Sequence, residues 1–276
     1  MTEFTLEAMG GLWAKRLDRR RTGLEEIDWN DIAREATPDL MIAAREVWTR
    51  SAFSEYASGA AFAQIATHLL AAKAPIDLIA AAGDFVGDEM FHAELASRVA
   101  MALGGAVPLD VNFEKLVRPP ENEDALLRAA ELIVRSSCVG ESLTVPILKQ
   151  SRRAAGSRTI EAVISRILRD EAQHAELGWW FLDWAELTDA QRTHLGDVAG
   201  GTIRSFTVLF ENECARSEGL GALPCAQFDG TFLDALAHTV VEPLAERGII
   251  VPEAHIADLR SAVLPAWRGG AAQRPL

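Results

Sequence analysis

Apolar positions recur at three- and four-residue spacings along most of the chain, and no alternating apolar/polar stretch is longer than a few residues. That period is helical. Thr37 followed by Pro38 reads as an N-cap with proline in the first helical position, and helical pattern (helix A) then runs to about Lys73. Pro75 opens helix B, which the pair Gly104-Gly105 stops. Residues 104–121, with Pro108, Pro119 and Pro120, read as a long connection. Asn122 is the expected cap of helix C, which extends to about Ala155, and Gly156 with Ser157 turns the chain into helix D, ending near Leu187. Thr188 and Asp189 begin helix E, expected to reach about Glu218 before the Gly/Pro-rich stretch 219–224. Two shorter helices are expected near Gly230–Arg247 and Pro252–Trp267. The first 36 residues read as short helices, with the basic run Arg19–Arg21 on a solvated face.

The fold class is therefore all-α. Helices A to D are joined short-long-short, the connectivity of a four-helix bundle with one long crossover connection, so A and B are antiparallel neighbours, as are C and D. The expected organisation is a single domain over residues 1–276: an N-terminal extension (1–36), the bundle (37–187) and additional C-terminal helices (188–276).

Composition narrows the function classes. The most apolar stretch, His68–Phe85, is broken by Lys73, Pro75, Asp77 and Asp84, so no membrane span is expected. The start of the chain lacks a continuous apolar run, and Cys138, Cys214 and Cys225 include no CxxC pair. Both features fit a cytoplasmic protein, and the second leaves no rubredoxin-type or zinc-ribbon site. A net charge of −13 argues against a nucleic-acid partner.

The chemistry lies in a repeated cassette. DEMFHAEL at Asp88–Leu95 and DEAQHAEL at Asp170–Leu177 share six of eight letters, 82 residues apart, one copy on helix B and the other on helix D. Positions i and i+3 share a helix face, so Glu89 points with His92 and Glu171 with His174. A single ExxH is weak, since this composition gives about half an accidental pair; two within a longer shared cassette are not. Counting from the C–D turn near Gly156, Glu171 lies 15 residues forward and Glu141 15 back. From the A–B turn near Ala74, Glu89 lies 15 forward and Glu55 19 back. Residues equidistant from the turn of an antiparallel pair sit at one height. Four carboxylates and two imidazoles thus converge on one level. Such a charge is prohibitive in a core unless divalent cations balance it, and an oxygen-rich set with one imidazole per metal suits iron or manganese better than zinc.

This arrangement resembles the ferritin-like superfamily of non-haem diiron carboxylate proteins, over roughly residues 38–187. The resemblance implies that Glu89 and Glu171 bridge two iron ions, that Glu55 and Glu141 are terminal ligands, and that His92 and His174 take one metal each. Asp88 and Asp170 match acids that, in the oxygenases of the superfamily, hydrogen-bond a ligand histidine of the opposite helix. Glu94 and Glu176 fall on another face, as surface or interhelix ion-pair residues. Thr144 matches a threonine one turn after the helix C ligand in acyl-carrier desaturases, and Cys138, one turn before that ligand, is a second cavity candidate. Aryl-amine N-oxygenases carry an extra histidine where this chain has Ile167. The ribonucleotide reductase small subunit fits less well, because its radical tyrosine corresponds to Ala96 and the only tyrosine here, Tyr56, points away from Glu55. Pro146 removes a helix hydrogen bond and frees the carbonyl of Ser142, so a kink or π-bulge is expected beside the metals. His238 is expected in the core, His194 and His255 on the surface, and His68 away from the ligands. Trp179, Trp180 and Trp184 are expected to pack on added helices or to line a route to the site.

The function implied is an O2-activating oxygenase or oxidase acting on a small organic substrate by hydroxylation, N-oxygenation, desaturation or oxidative cleavage. It would use two Fe ions (with Mn/Fe left open), a reductase or ferredoxin as electron donor, and no nucleic-acid or membrane partner; a homodimer is compatible. The alternatives are a ferroxidase or iron-storage protein and a rubrerythrin-like peroxide reductase. The roughly 125 residues outside the bundle favour the first reading.

Overall fold

The computed structural model describes residues 1–33, 36–117, 122–210 and 217–257. Apart from one two-residue ladder, β1 (Thr2–Glu3) antiparallel to β2 (Asp110–Val111), its regular structure is helical. A short helix α1 (Gly11–Asp18) precedes two single 3-10 turns and the long helices α2 (Pro38–Ala71) and α3 (Ile76–Ala102). After the long connection come α4 (Ala125–Ile133), a π-helical segment π1 (Val134–Glu141) and α5 (Ser142–Arg153), which continue one another end to end. Next are α6 (Arg158–Trp184) and α7 (Asp189–Phe210), then α8 (Cys225–Ala235), a second π segment π2 (Leu236–Val241) and α9 (Glu242–Glu246). Among the described residues no helix is long and apolar enough to cross a membrane.

Local chemistry explains most boundaries. Thr37 caps α2, its hydroxyl accepting from the Leu40 amide at 3.3 Å, and Ser157 caps α6 through the Ile160 amide at 3.2 Å. Helix C departs from expectation in two ways. It starts at Ala125, capped by Asp124, whose Oδ1 accepts from the Leu126 and Leu127 amides at 2.9 and 3.3 Å. Asn122 instead accepts from the Asp124 amide, one link further out. The irregular bonding expected from Pro146 is also displaced, since the eight residues Val134–Glu141, ahead of the proline, run as π-helix. Helix E is described only to Phe210; residues 211–216 lie outside the described residues, and Glu218 pairs with Ala222 in an isolated bridge instead of continuing a helix. The following helix begins earlier than expected, at Cys225 directly after Pro224. Of the expected Pro252–Trp267 helix, Pro252 precedes the helical residues 253–257, and residues 258–267 lie outside the described residues, as does Cys214.

α2 packs along α3, α6 packs against π1 and α5, α3 packs against α6, and α4 against α2. The buried apolar residues form two clusters, not one. The first joins Phe62, Ile65 and Leu69 of α2 to Leu78, Ala82 and Phe85 of α3, Phe181 of α6 and residues of α7 and α8. The second joins Ala44, Trp48 and Ala52 of α2 to Phe91, Leu95 and Val99 of α3, Ile160 and Ile164 of α6, and Leu24 and Ile32 of the N-terminal segment. On each of α2, α3 and α6 the gap between the clusters is where the acids and histidines of the cassette level fall. The C-terminal helices complete the first cluster and the N-terminal segment completes the second.

The N-terminal segment departs from the solvated face expected for its basic run. Arg19 is exposed, but Arg20 and Arg21 lie across α3. Arg21 forks onto Glu94, with contacts of 2.7 to 3.1 Å. At the other end, the Trp48 indole donates to the Leu220 carbonyl at 2.6 Å, and the Gly156 amide to the Gly219 carbonyl at 2.7 Å. These bonds pin the loop around residues 217–222 to α2 and to the α5–α6 turn.

Candidate metal centre

The cassette spacing turns Glu89 and His92 to one side of α3, and Glu171 and His174 to one side of α6, where all four are buried. α2 adds Glu55, and Glu141 is the last residue of π1. A π turn holds one more residue than an α turn, so the segment carries Glu141 around the axis relative to an unbroken α-helix. The shifted bonding is visible in Ser142, whose amide and hydroxyl both donate to the carbonyl of Ser137, the hydroxyl at 3.1 Å.

The donor atoms gather in two overlapping groups, Glu55–Glu89–His92–Glu171 and Glu89–Glu141–Glu171–His174, each with its atoms within 4.8 Å of one another. Glu89 and Glu171 belong to both. His174 Nδ1 is 2.9 Å from a carboxylate oxygen of Glu171 and 2.9 Å from one of Glu89. His92 Nδ1 is 3.1 Å from Glu171, 3.8 Å from Glu89 and 3.9 Å from Glu55. Both histidines turn Nδ1 inward and Nε2 outward to an aspartate of the other cassette. His92 Nε2 lies 3.1 Å from Asp170, and His174 Nε2 lies 3.8 Å from Asp88, an ion-pair distance.

Protein groups alone do not satisfy this cluster. Both oxygens of Glu89, Nδ1 of His92 and Nε2 of His174 are buried without a hydrogen bond of good geometry. Burial, then the charges of Glu89 and Glu171, holds the Glu55 carboxyl well above the usual carboxylate range; burial with Glu171 and Glu89 does the same to Glu141. Burial works against the charged form of Glu171 as well, but the hydrogen bond from His174 and the close imidazole of His92 hold it below the usual range. Burial opposes charging both imidazoles, and their acidic partners outweigh it. Asp170, Glu171 and Glu89 raise His92 well above its ordinary value, while Asp88, Glu171 and Glu89 push His174 up to about 12. The donor set, four carboxylates and two imidazoles with their inward atoms close together, is one that could hold metal ions.

Other residues at the site escape sequence reasoning. Phe62 and Phe85 pack on the His174 ring at 5.1 and 4.3 Å between centroids. Arg166 bonds Asp170 on its own helix and lies over the Phe91 ring. Arg20 donates to Asp88 at 2.7 Å. Arg166 had a readable signal, since it stands one turn before the cassette acid; Arg20, 68 residues from Asp88, had none.

The remaining candidates divide. Cys138 is fully buried in the first apolar cluster; burial pushes its thiol up, which suits inert packing. A Cβ on Gly178 would stand 2.6 Å from the Cys138 sulfur, so this glycine is what lets π1 approach α6. Thr144 is half-buried. The Ser142 carbonyl, freed by Pro146, accepts from the Thr239 hydroxyl of π2 at 2.8 Å. His238 is not a core residue. It is exposed and pairs with Glu242 and Asp234 on its own helical stretch, the apolar neighbours having claimed the inward face. His194 is exposed as expected, whereas His255 is half-buried with its ring over Gly200. Tyr56 turns away into a cluster with Phe4 and Phe113, and Trp180 is exposed while Trp179 lies under Arg247.

No protein-family model matches the chain, and no curated protein or solved structure matches it at a significant level.

Proposed function

We propose that this protein is a ferritin-like diiron oxygenase or oxidase: one domain in which α2, α3, the α4–π1–α5 line and α6 make a four-helix bundle around a dimetal centre. The supporting observation is the pair of donor groups that share Glu89 and Glu171. Glu55 and His92 would complete the coordination of one ion, Glu141 and His174 that of the other, with Glu89 and Glu171 common to both. Two bound iron ions supply reductive O2 activation, for which two external electrons from a reductase or ferredoxin are required.

The chain's own residues set the conditions for that chemistry. Asp170 accepts a hydrogen bond from Nε2–H of His92 and so leaves Nδ1 free to be a ligand; Asp88 faces Nε2 of His174 from the same side, at ion-pair distance. Phe62, Phe85 and Phe91 exclude water around the histidines. The π1 segment ends at Glu141 and Pro146 follows five residues later, so helix bonding is irregular on the side where a small organic substrate would sit.

An aerobic Fe(II) titration tests the proposal by counting irons oxidised and retained per chain. Retention stopping at about two per chain supports a catalytic centre. Uptake continuing to tens of irons per chain would instead make the protein an iron store, and no uptake would remove the metal reading altogether.

A further inference from the structure

The two cassettes are matched almost letter for letter, yet the residue one turn before the aspartate differs. On α6 it is Arg166, which bonds Asp170 from the same helix. At the equivalent position, 82 residues earlier, α3 has Asp84, an acid that cannot serve. The missing cation arrives from elsewhere. Arg20, in the N-terminal segment, donates from Nε to Asp88 Oδ1 at 2.7 Å and from Nη2 to the side chain and carbonyl of Asp84 at 2.6 and 3.0 Å.

Three further features single out this contact. Arg20 occupies Oδ1 of Asp88, which leaves Oδ2 as the oxygen facing Nε2 of His174. α3 offers Gly87 directly beneath the guanidinium, and a Cβ there would stand 2.7 Å from its central carbon. Arg166, from the other network, reaches back to the Arg20 carbonyl at 3.4 Å. Arg20 and Asp88 are both largely shielded from solvent, with side-chain exposures of 21% and 17%. Arg21 next door holds Glu94 and Asp18 and touches neither aspartate of the site.

We infer that Arg20 is a positioning residue for the metal centre: its side chain orients Asp88, and through Asp88 the ring of His174, and so serves one metal position and not the other. This rests on the dimetal reading above. A chain lacking the Arg20 side chain would hold the ion at His174 poorly, while Asp170 and Arg166 beside His92 stay in place.

Co(II) titration of the full-length chain, followed by its visible absorption, tests this. In the wild type the step belonging to His174 is the one that His174→Ala abolishes. Arg20→Ala is expected to weaken that step about tenfold or more, the range seen when residues that orient metal ligands are removed, to shift its absorption bands, and to leave the other step in place. Gly87→Ala, which displaces the guanidinium without removing it, is expected to reproduce the effect and serves if Arg20→Ala folds poorly. Arg21→Ala loosens the same segment without touching Asp88, and is expected to change neither step. The inference is overturned if Arg20→Ala and Gly87→Ala bind both ions as the wild type does, or if Arg21→Ala weakens the same step equally. A wild-type chain that takes up no Co(II) would defeat the dimetal reading itself and this inference with it.

Discussion

The two donor groups use the same residue types and share two carboxylates, yet they are built differently. The Glu55–His92 group includes one member, Glu55, whose side chain is 18% exposed, while every residue of the Glu141–His174 group is buried. The outer support of His92 is local, since Asp170 and Arg166 sit one turn apart on α6. The support of His174 is assembled from distant parts: Asp88 on α3, Arg20 from the N-terminal segment, and two phenylalanine rings against the imidazole. Its carboxylate Glu141 ends a π segment that Gly178 of α6 admits. Near-identical octapeptides thus give one group with a partly exposed member and one that is buried throughout. The difference comes from what surrounds the repeat, not from the repeat.

Substitutions of the carboxylates break this comparison most directly. Glu171→Ala removes a residue common to both groups, so iron retained after reconstitution, measured by elemental analysis, should fall below about one per chain. Glu55→Ala and Glu141→Ala should each leave about one. If Glu171→Ala retained as much iron as either of those two, sharing would be the wrong description.

A pH series separates the metal-free molecule from the loaded one with a smaller effect. Glu55, Glu141, His92 and His174 are all raised, so the folded metal-free chain holds protons that the unfolded chain releases above the ordinary values of 4.5 and 6.5. Raised groups stabilise fully below those ordinary values, and the contribution drains away as pH climbs towards the folded values. The depressed groups, Asp88 and Glu171, give up their contribution only at acid pH, below the ordinary carboxylate range. From about pH 5 to about pH 8 the Tm of chelator-treated protein should therefore fall, while the gap between it and the Mn(II)-loaded protein widens as competing protons leave. A Tm of the metal-free protein that rises across this window would show that the cluster does not hold these protons.

The smallest effect concerns the link from the buried group to the C-terminal helices. Thr239 has one hydroxyl proton and two carbonyls within reach, Ser142 at 2.8 Å and Ala235 at 2.7 Å. Thr239→Val removes a donor to the carbonyl that Pro146 frees. It should cost about 1 kcal/mol, read as a lowered denaturation midpoint with iron stoichiometry unchanged.

Much of the site is legible in the sequence because helical spacing is local and repetitive. Glu89 with His92, and Glu171 with His174, follow from i to i+3 geometry, and the level of Glu55 and Glu141 follows from counting back from two turns. What spacing cannot supply is the company kept across the chain. Arg20 reads as one member of a solvated basic run because nothing nearby marks Asp84 and Asp88 as its partners. His238 reads as a core residue because its neighbours are apolar, although the helix turns those neighbours inward and the histidine outward. The proline at 146 flags disturbed helix bonding, yet the π segment lies ahead of it, over Val134–Glu141, where packing on α6 decides which carbonyl each amide meets. Asn122 and Asp124 are both competent caps, and only the start of packed helix selects between them.

The division of the apolar core into two clusters has a consequence for how the chain breathes. A helix ordinarily frays from its ends, and its middle amides exchange last. Here α2, α3 and α6 are each clamped near both ends by separate apolar clusters and carry the crowded acids and imidazoles between them. Without cations, the least protected stretch of each is its centre, and hydrogen exchange there would run ahead of the flanking turns. Metal binding would reverse that order, and the two clusters would then open together as one unit instead of two.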